Sequence, residues 1–424
     1  MKVPATTKNR TERAQEVIAR CRALAKFSED ANSLRRTFLS ESMHDCHAAI
    51  AGWLKPLGIS ATIDSAGNLR GFYPGADSAA PRLLIGSHLD TVPNAGFYDG
   101  MLGVVLAIAL LEELDGKRLP FGIEVVGFSE EEGVRFGVPF IGSRALVGRI
   151  DEELLGHQDR NGITVRGAIQ KFGLDDKRIN EAALGDDVLS YVEFHIEQGP
   201  VLEKLERQLG VVEAIVGQTR LVLRFCGKAN HSGTTPMDTR HDALAGAAEW
   251  MVAVEARAKV IPGLVATVGF IEAKPGATNV IPGEVRLTLD TRHRFDETRS
   301  VAIREFTGFA EEIAEKRGLF LQRNTLLEQN AIVLNSFLAD QIEEAVRKSG
   351  CEPHRMTSGA GHDAMILAER IPSAMVFLRS PGGVSHDPAE SVLLEDVACA
   401  IDCGVHLLKQ LAQTREFLGR ICRA

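Results

Sequence analysis

The 424-residue sequence has no surplus of positive charge: 48 Lys and Arg against 57 Asp and Glu leave a formal net charge of −9. No block of Lys or Arg interrupts that balance, which argues against non-specific binding to DNA or RNA. A membrane-spanning run is also missing. The most apolar stretch, Met101 to Leu111, falls short of the roughly 20 residues that cross a bilayer. Met1 to Arg10 is polar and lacks the apolar centre of a secretory leader. The seven cysteines (Cys21, Cys46, Cys226, Cys351, Cys399, Cys403, Cys422) are scattered and form no Cys-x-x-Cys pair. The expectation is free thiols in a reduced, cytoplasmic setting, with Cys399 and Cys403 as core residues of an apolar helix. Internal repeats and low-complexity segments are absent too.

What is present is ordinary globular material. Hydrophobic residues at 45% and charged residues at 25% suffice for a full core, and the length calls for more than one domain or a large domain with an insertion. Helical spacing over 12–39 and 43–57 precedes short strands over 61–73. Buried strands are expected at 83–85, 121–128 and 191–196, with a buried helix at 102–114. That alternation implies an α/β core around a mostly parallel sheet. From about Val212 the order becomes strand, helix, two strands, helix, strand, which is the ferredoxin-like pattern. The expected division is therefore 1–212 and 328–424 for the core, with 213–327 inserted as a second, α+β domain.

Polar residues at the ends of the core strands carry the chemistry, because open α/β sheets bind ligands there. His88 and Asp90 follow the run Leu83–Leu84–Ile85, Asp99 precedes Gly100 and the buried helix, Glu131 and Glu132 follow Phe128, and His195 and His386 lie farther along. His88, Asp99, Glu132, His195 and His386 would form a two-metal site if Asp99 bridges, each ion having three protein ligands and an open position. Asp90 is then expected to orient the His88 imidazole, and Glu131 is free to act as general base. His44 and His47, one helical turn apart, read as ordinary helix residues.

The motifs G-S-H-L-D-T-V (86–92), Y-D-G-M-L-G (98–103), E-E-G-V-R-F (131–136), H-I-E-Q-G-P-V-L-E (195–203), G-Q-T-R (217–220), A-N-H-S-G-T-T-P-M (229–237), N-V-I-P-G-E-V (279–285), S-G-A-G-H-D-A-M (358–365) and G-G-V-S-H-D-P-A-E (382–390) span most of the chain. Taken together, the sequence resembles the zinc aminoacylase/carboxypeptidase-type metallohydrolases, in their hydantoinase/carbamoylase branch. The resemblance implies a dinuclear-metal, peptidase-like catalytic domain, with 213–327 as a lid and dimerisation domain. It implies two divalent ions, zinc or manganese. His88, Asp99 and His195 would hold one, and Asp99, Glu132 and His386 the other, with Glu131 as base. It further implies that His231 reaches the partner subunit's site and stabilises the oxyanion. Asn279, Arg292, Gln198, Gly359, Ala360 and His362 are implied to contact substrate. The implied activity is hydrolysis of a small ureido or N-carbamoyl acid, with allantoate favoured by E-E-G-V-R-F, G-Q-T-R and Arg379. An N-carbamoyl-L-amino acid is the alternative, and an aminoacylase or dipeptidase the reading from another class.

Overall fold

The computed structural model describes residues 9–414 and 417. The chain divides into two compact units, 1–213 with 334–424, and 214–333. In chain order the strands are β1 (Ala61–Ile63), β2 (Leu69–Tyr73), β3 (Arg82–His88), β4 (Gly122–Phe128), β5 (Val188–Ile196), β6 (Leu209–Ile215), β7 (Gly217–Cys226), β8 (Asn230–His231), β9 (Val265–Lys274), β10 (Val280–Ile281), β11 (Glu284–His293), β12 (Phe320–Gln329), β13 (Ile332–Val333), β14 (His354–Ser358) and β15 (Ser373–Leu378).

The first unit is built on a sheet ordered β1-β2-β4-β3-β5-β15-β6. Its centre is parallel: β4 with β3, β3 with β5, and β5 with β15. The flanks β2 and β6 run antiparallel to it. β4, β5 and β15 are buried along their whole length, as strands covered on both faces must be. That is why they read as continuous apolar runs rather than alternating ones. The helix Met101–Glu113 is buried from Met101 to Leu111 on every side, which explains its lack of a polar stripe. The parallel strands all end at one edge of the sheet, so whatever follows His88, Phe128, Ile196 and Leu378 converges there.

The second unit has the ferredoxin-like order β12-β7-β11-β9, antiparallel throughout. Helices Ala243–Lys259 and Asp296–Arg317 cover one face. Their core joins Trp250 and Phe306 to Leu223, Phe225, Leu287 and Leu289, and the Trp250 indole N–H donates to the Phe306 carbonyl at 2.7 Å. β7 and β11 alternate buried and less buried residues, the signature of a sheet with one open face. The unit runs past the expected end at 327, because β12 continues to Gln329 and Ile332 and Val333 then pair with Ile215 and Ala214.

One expectation needs correction. Cys351 and Cys399 are joined as a disulfide, so they are not free thiols; the bond links the turn after helix Ser336–Lys348 to helix Leu394–Leu411. Forty-eight residues separate the two in sequence, and nothing in their spacing shows that the two helices pack together. Cys21, Cys46, Cys226 and Cys403 are free, and Cys422 and residues 1–8 lie outside the described residues. The stretch between Gly133 and Val188, left without elements by the sequence reading, holds four short helices of five to seven residues. Among the described residues, no helix is long and apolar enough to cross a membrane.

Candidate active site

His88 is the last residue of β3 and His195 the last but one of β5. Both are buried, and each directs Nδ1 at a backbone carbonyl: His88 at Asp90 O and His195 at Ile196 O, both at 2.9 Å. A carbonyl only accepts, so Nδ1 carries the proton in each ring and a neutral ring presents its lone pair at Nε2. The two Nε2 atoms lie 3.4 Å apart, and Asp99 Oδ1 lies 3.4 Å from one and 3.2 Å from the other. That oxygen is buried and accepts no hydrogen bond. Ligand atoms about 2.0 Å from a tetrahedral ion sit about 3.3 Å from one another. The three atoms therefore have the spacing and chemistry of a divalent-cation site.

The other oxygen of Asp99 faces a second group. His386 Nε2 lies 3.2 Å from Asp99 Oδ2 and 3.3 Å from Glu132 Oε1. Gln198 Nε2 donates to the same Asp99 oxygen at 3.1 Å and to Ser385 Oγ at 3.2 Å. Two further groups of ligand-capable atoms overlap these: His88 with Glu131 and Glu132, and His195 with Glu193 and His362. One carboxylate thus stands between two sets of donors, each able to hold a cation.

Backbone strain is present at the site. Glu130, Gln198 and His386 all have positive φ (49°, 58° and 56°), a region that costs non-glycine residues energy and persists where surroundings enforce it. Gly100 also has positive φ (68°), and a Cβ there would stand 2.5 Å from the His88 ring. Only glycine lets the imidazole lie against the start of the buried helix.

Electrostatics follow the same division. Burial would push the Asp99 carboxyl up, but the close imidazoles of His195, His386 and His88 outweigh it and hold it well below the usual range. Burial alone would lower His88, yet Asp99, Glu131 and Asp90 together raise it well above its ordinary value. His386 is pushed up to about 10 by its contacts with Asp99 and Glu132. The centre is a place that attracts positive charge. Glu131 goes the other way from Asp99: burial, reinforced by Glu132, Asp363 and Asp90 and opposed by His88, pushes it well above the ordinary carboxylate range. Burial, then the His195 charge, lowers His362 and keeps it neutral.

The structure divides the expected role of Asp90. Its main-chain carbonyl, not its carboxylate, bonds the His88 ring; Asp90 Oδ1 is 3.7 Å from Nδ1. The carboxylate instead accepts from the backbone N–H groups of Glu131 and Glu132 at 2.9 and 3.0 Å. It fixes the loop that presents those two side chains.

His362 Nε2 lies 3.0 Å from Ser358 Oγ, which also bonds Ala360 across the Gly359 turn. The remaining residues of interest stand in the second unit. His231 and Val280 pair across the β8–β10 ladder, and the Asn279 carbonyl accepts from Ser232 N–H at 3.0 Å. His231 is exposed, with Nδ1 accepting from Gly233 N–H. Arg292 donates from Nε and Nη2 to both oxygens of Asp290, which also accepts from Arg220 Nε.

Sequence reasoning passed over Glu193, Glu390 and Asp290. Glu193 had a signal: an acid in the middle of the buried run Tyr-Val-Glu-Phe-His-Ile, where an unpaired charge is costly. Its carboxylate accepts from Ser87 Oγ and Ala364 N–H.

A parallel α/β sheet with paired imidazole and carboxylate groups at its strand ends defines a class of metal-capable hydrolase scaffolds. Within it, the chain belongs to the peptidase family M20/M25/M40, whose profile matches residues 84–410. It is 38% identical to a probable allantoate deiminase of Oryza sativa subsp. japonica, over 91% of this chain and 86% of that one. It is equally 38% identical to an N-carbamoyl-L-amino acid amidohydrolase of Geobacillus stearothermophilus, over 86% and 90% of the two chains. A hydantoinase/carbamoylase family amidase of Burkholderia multivorans superposes with a TM-score of 0.88 at 29% identity, covering 93% of this chain and 97% of that one.

Proposed function

We propose that the protein is a dinuclear metal-dependent amidohydrolase that cleaves the ureido or carbamoyl C–N bond of a small acid, with allantoate as the preferred substrate. The observation that carries this reading is Asp99, whose two oxygens each face a separate donor group at 3.2–3.4 Å. His88, Asp99 and His195 would hold one ion, and Asp99, Glu132 and His386 the other. Zinc and manganese both suit such ligands. When bound, the pair would lower the pKa of water and polarise the carbonyl.

The residues of the chain do the rest. Glu131, grouped with His88 and Glu132 beside the proposed ions, takes a proton from the attacking water and delivers it to the leaving nitrogen. Water adds to the carbamoyl carbon, ammonia departs, and the resulting carbamate loses carbon dioxide. Gln198 and neutral His362 orient the polar substrate, with Gly359 and Ala360 shaping the turn beside them. His231 stabilises the oxyanion, a contribution of roughly 3–4 kcal/mol for such donors. Asn279 and Arg292 recognise the substrate carboxylate, and Asp290 supports this by holding the Arg292 guanidinium from one side.

His231 acts in this reading across a homodimer formed through the second unit. Support comes from β9, an edge strand whose Val265, Phe270 and Ile271 are exposed, and from exposed Leu244 and Val252 on the adjoining helix. Unpaired edges and apolar patches of this kind are costly unless covered. A cytoplasmic setting belongs to the same reading, with the free thiols Cys21, Cys46 and Cys403 on its side and the Cys351–Cys399 disulfide against it.

Allantoate is preferred to an N-carbamoyl-L-amino acid on the motifs E-E-G-V-R-F and G-Q-T-R. Arg379, a third such detail, pairs with Asp396 through Nε and Nη2, as Arg292 does with Asp290. The test is ammonia release by chelated and remetallated protein. Chelation should abolish turnover, and zinc or manganese should restore it with allantoate above N-carbamoyl-L-amino acids. Failure of the remetallated protein on both substrate classes would overturn the reading.

A further inference from the structure

We propose that Glu390 is a positioning residue that sets the main chain of Asp99 so that its two oxygens can serve two cations. The inference rests on the reading of Asp99 and His386 as cation ligands. Glu390 follows His386 by four residues, and its side chain turns back into the site loop. Its Oε1 accepts from the backbone N–H groups of Tyr98 and Asp99, at 2.9 and 3.1 Å. The residue is 4% exposed. The turn that carries it is closed by its own N–H, which donates to the Asp387 carbonyl at 3.0 Å.

One short segment therefore grips Asp99 from two directions. His386 faces the carboxylate at 3.2 Å, and Glu390 holds the peptide from which that carboxylate springs. The partners are 291 residues apart in sequence, so this clamp, with the Ser385 hydroxyl 3.4 Å from Asp99 Oδ2, ties the two ligand-bearing loops together. Gly96 is shaped for it. A Cβ on Gly96 would stand 2.4 Å from both Cβ and Oε1 of Glu390, so any side chain there would displace the clamp. Gly96 has no positive φ to explain it; the close approach of Glu390 does.

A carboxylate that only filled space would not need both N–H donors on one oxygen. Groups that orient metal ligands typically change metal affinity 10- to 100-fold when removed. The experiment titrates Mn2+ and Zn2+, each alone, into chelated wild-type, Glu390→Ala, Glu390→Gln and Gly96→Ala proteins by calorimetry, with melting temperatures of the metal-free proteins alongside. Glu390→Ala and Gly96→Ala should bind roughly 10- to 100-fold more weakly. Glu390→Gln, which keeps an acceptor oxygen in place, should bind close to wild type. Gly96→Ala leaves the carboxylate intact and carries the test if Glu390→Ala does not fold. Native affinity in the two alanine variants overturns the proposal, as does a loss in Glu390→Gln as large as in Glu390→Ala. A wild-type protein that takes up neither ion overturns the metal reading itself, a separate outcome visible in the same titration.

Discussion

Glu131 and Asp99 are both buried carboxylates within one cluster, yet their proton affinities are driven in opposite directions. Asp99 is surrounded by imidazoles and held ionised. Burial, reinforced by neighbouring carboxylates and opposed by His88, pushes Glu131 above the ordinary carboxylate range. Groups whose environments separate them in this way are the ones that divide acid–base labour. Glu131→Gln keeps the shape and removes the proton acceptor, so kcat should fall about 10²- to 10⁴-fold, the usual worth of general-base catalysis. Metal content, measured on the same sample, should not change. Full turnover in this variant would remove Glu131 from the mechanism. At this scale much was legible before the fold was known: an imidazole or carboxylate following an apolar strand is a visible pattern. The partition of Asp90 between its carbonyl and its carboxylate was not, because it depends on where the Glu131 backbone passes. Glu390 was equally silent, since a glutamate in Ser-His-Asp-Pro-Ala-Glu reads as surface until its oxygen is found on the Asp99 peptide.

Elements were legible in proportion to their length and burial. β4, β5 and β15 announce themselves as apolar runs because both faces are covered. The four short helices between Ile141 and Ala182 give too few turns for any period to emerge. Helix Glu41–Leu54 shows a different gap between pattern and environment. Its His47 reads as ordinary, but the ring is buried with neither nitrogen hydrogen-bonded, while its neighbour His44 stacks on Phe172. Burial, then the charge of Arg36 and the presence of His44, lower His47 to about 3. The unfolded chain takes up this proton near pH 6.5, whereas the native state resists it down to about 3. Between those values the unfolded state binds more protons, so stability rises with pH. The His47 contribution is complete above about pH 6.5 and is lost as pH falls towards 3. His47→Leu should flatten the acid limb by up to about 1.4 kcal/mol per pH unit within that window. Urea midpoints of the chelated proteins between pH 4 and 7 measure it; parallel curves for the two proteins would show that His47 titrates normally.

At the scale of the whole molecule, the two units carry complementary parts of the proposed chemistry. The first holds the ligand groups and Glu131, and the second holds His231, Asn279 and Arg292. If His231 serves a partner's site, inactivating substitutions in different units should complement one another. Glu131→Gln leaves His231 intact, and His231→Ala leaves Glu131 intact. A hybrid dimer of the two contains one site with both defects and one site with neither, since its Glu131 comes from one chain and its His231 from the other. Random exchange makes about half of all dimers hybrid, each with one working site in two, so an equimolar mixture should recover about a quarter of wild-type activity. Each variant alone should stay near its own low rate. If His231 instead serves its own chain, a hybrid holds one base-deficient site and one oxyanion-deficient site, and mixing recovers nothing. Co-expression of the two variants, with ammonia release as the readout and dimer content measured by sedimentation, separates these cases. The same variants made as Glu131→Gln/His231→Ala on one chain, mixed with wild type, set the control: every site in those hybrids then lacks one group, so activity should fall below simple dilution.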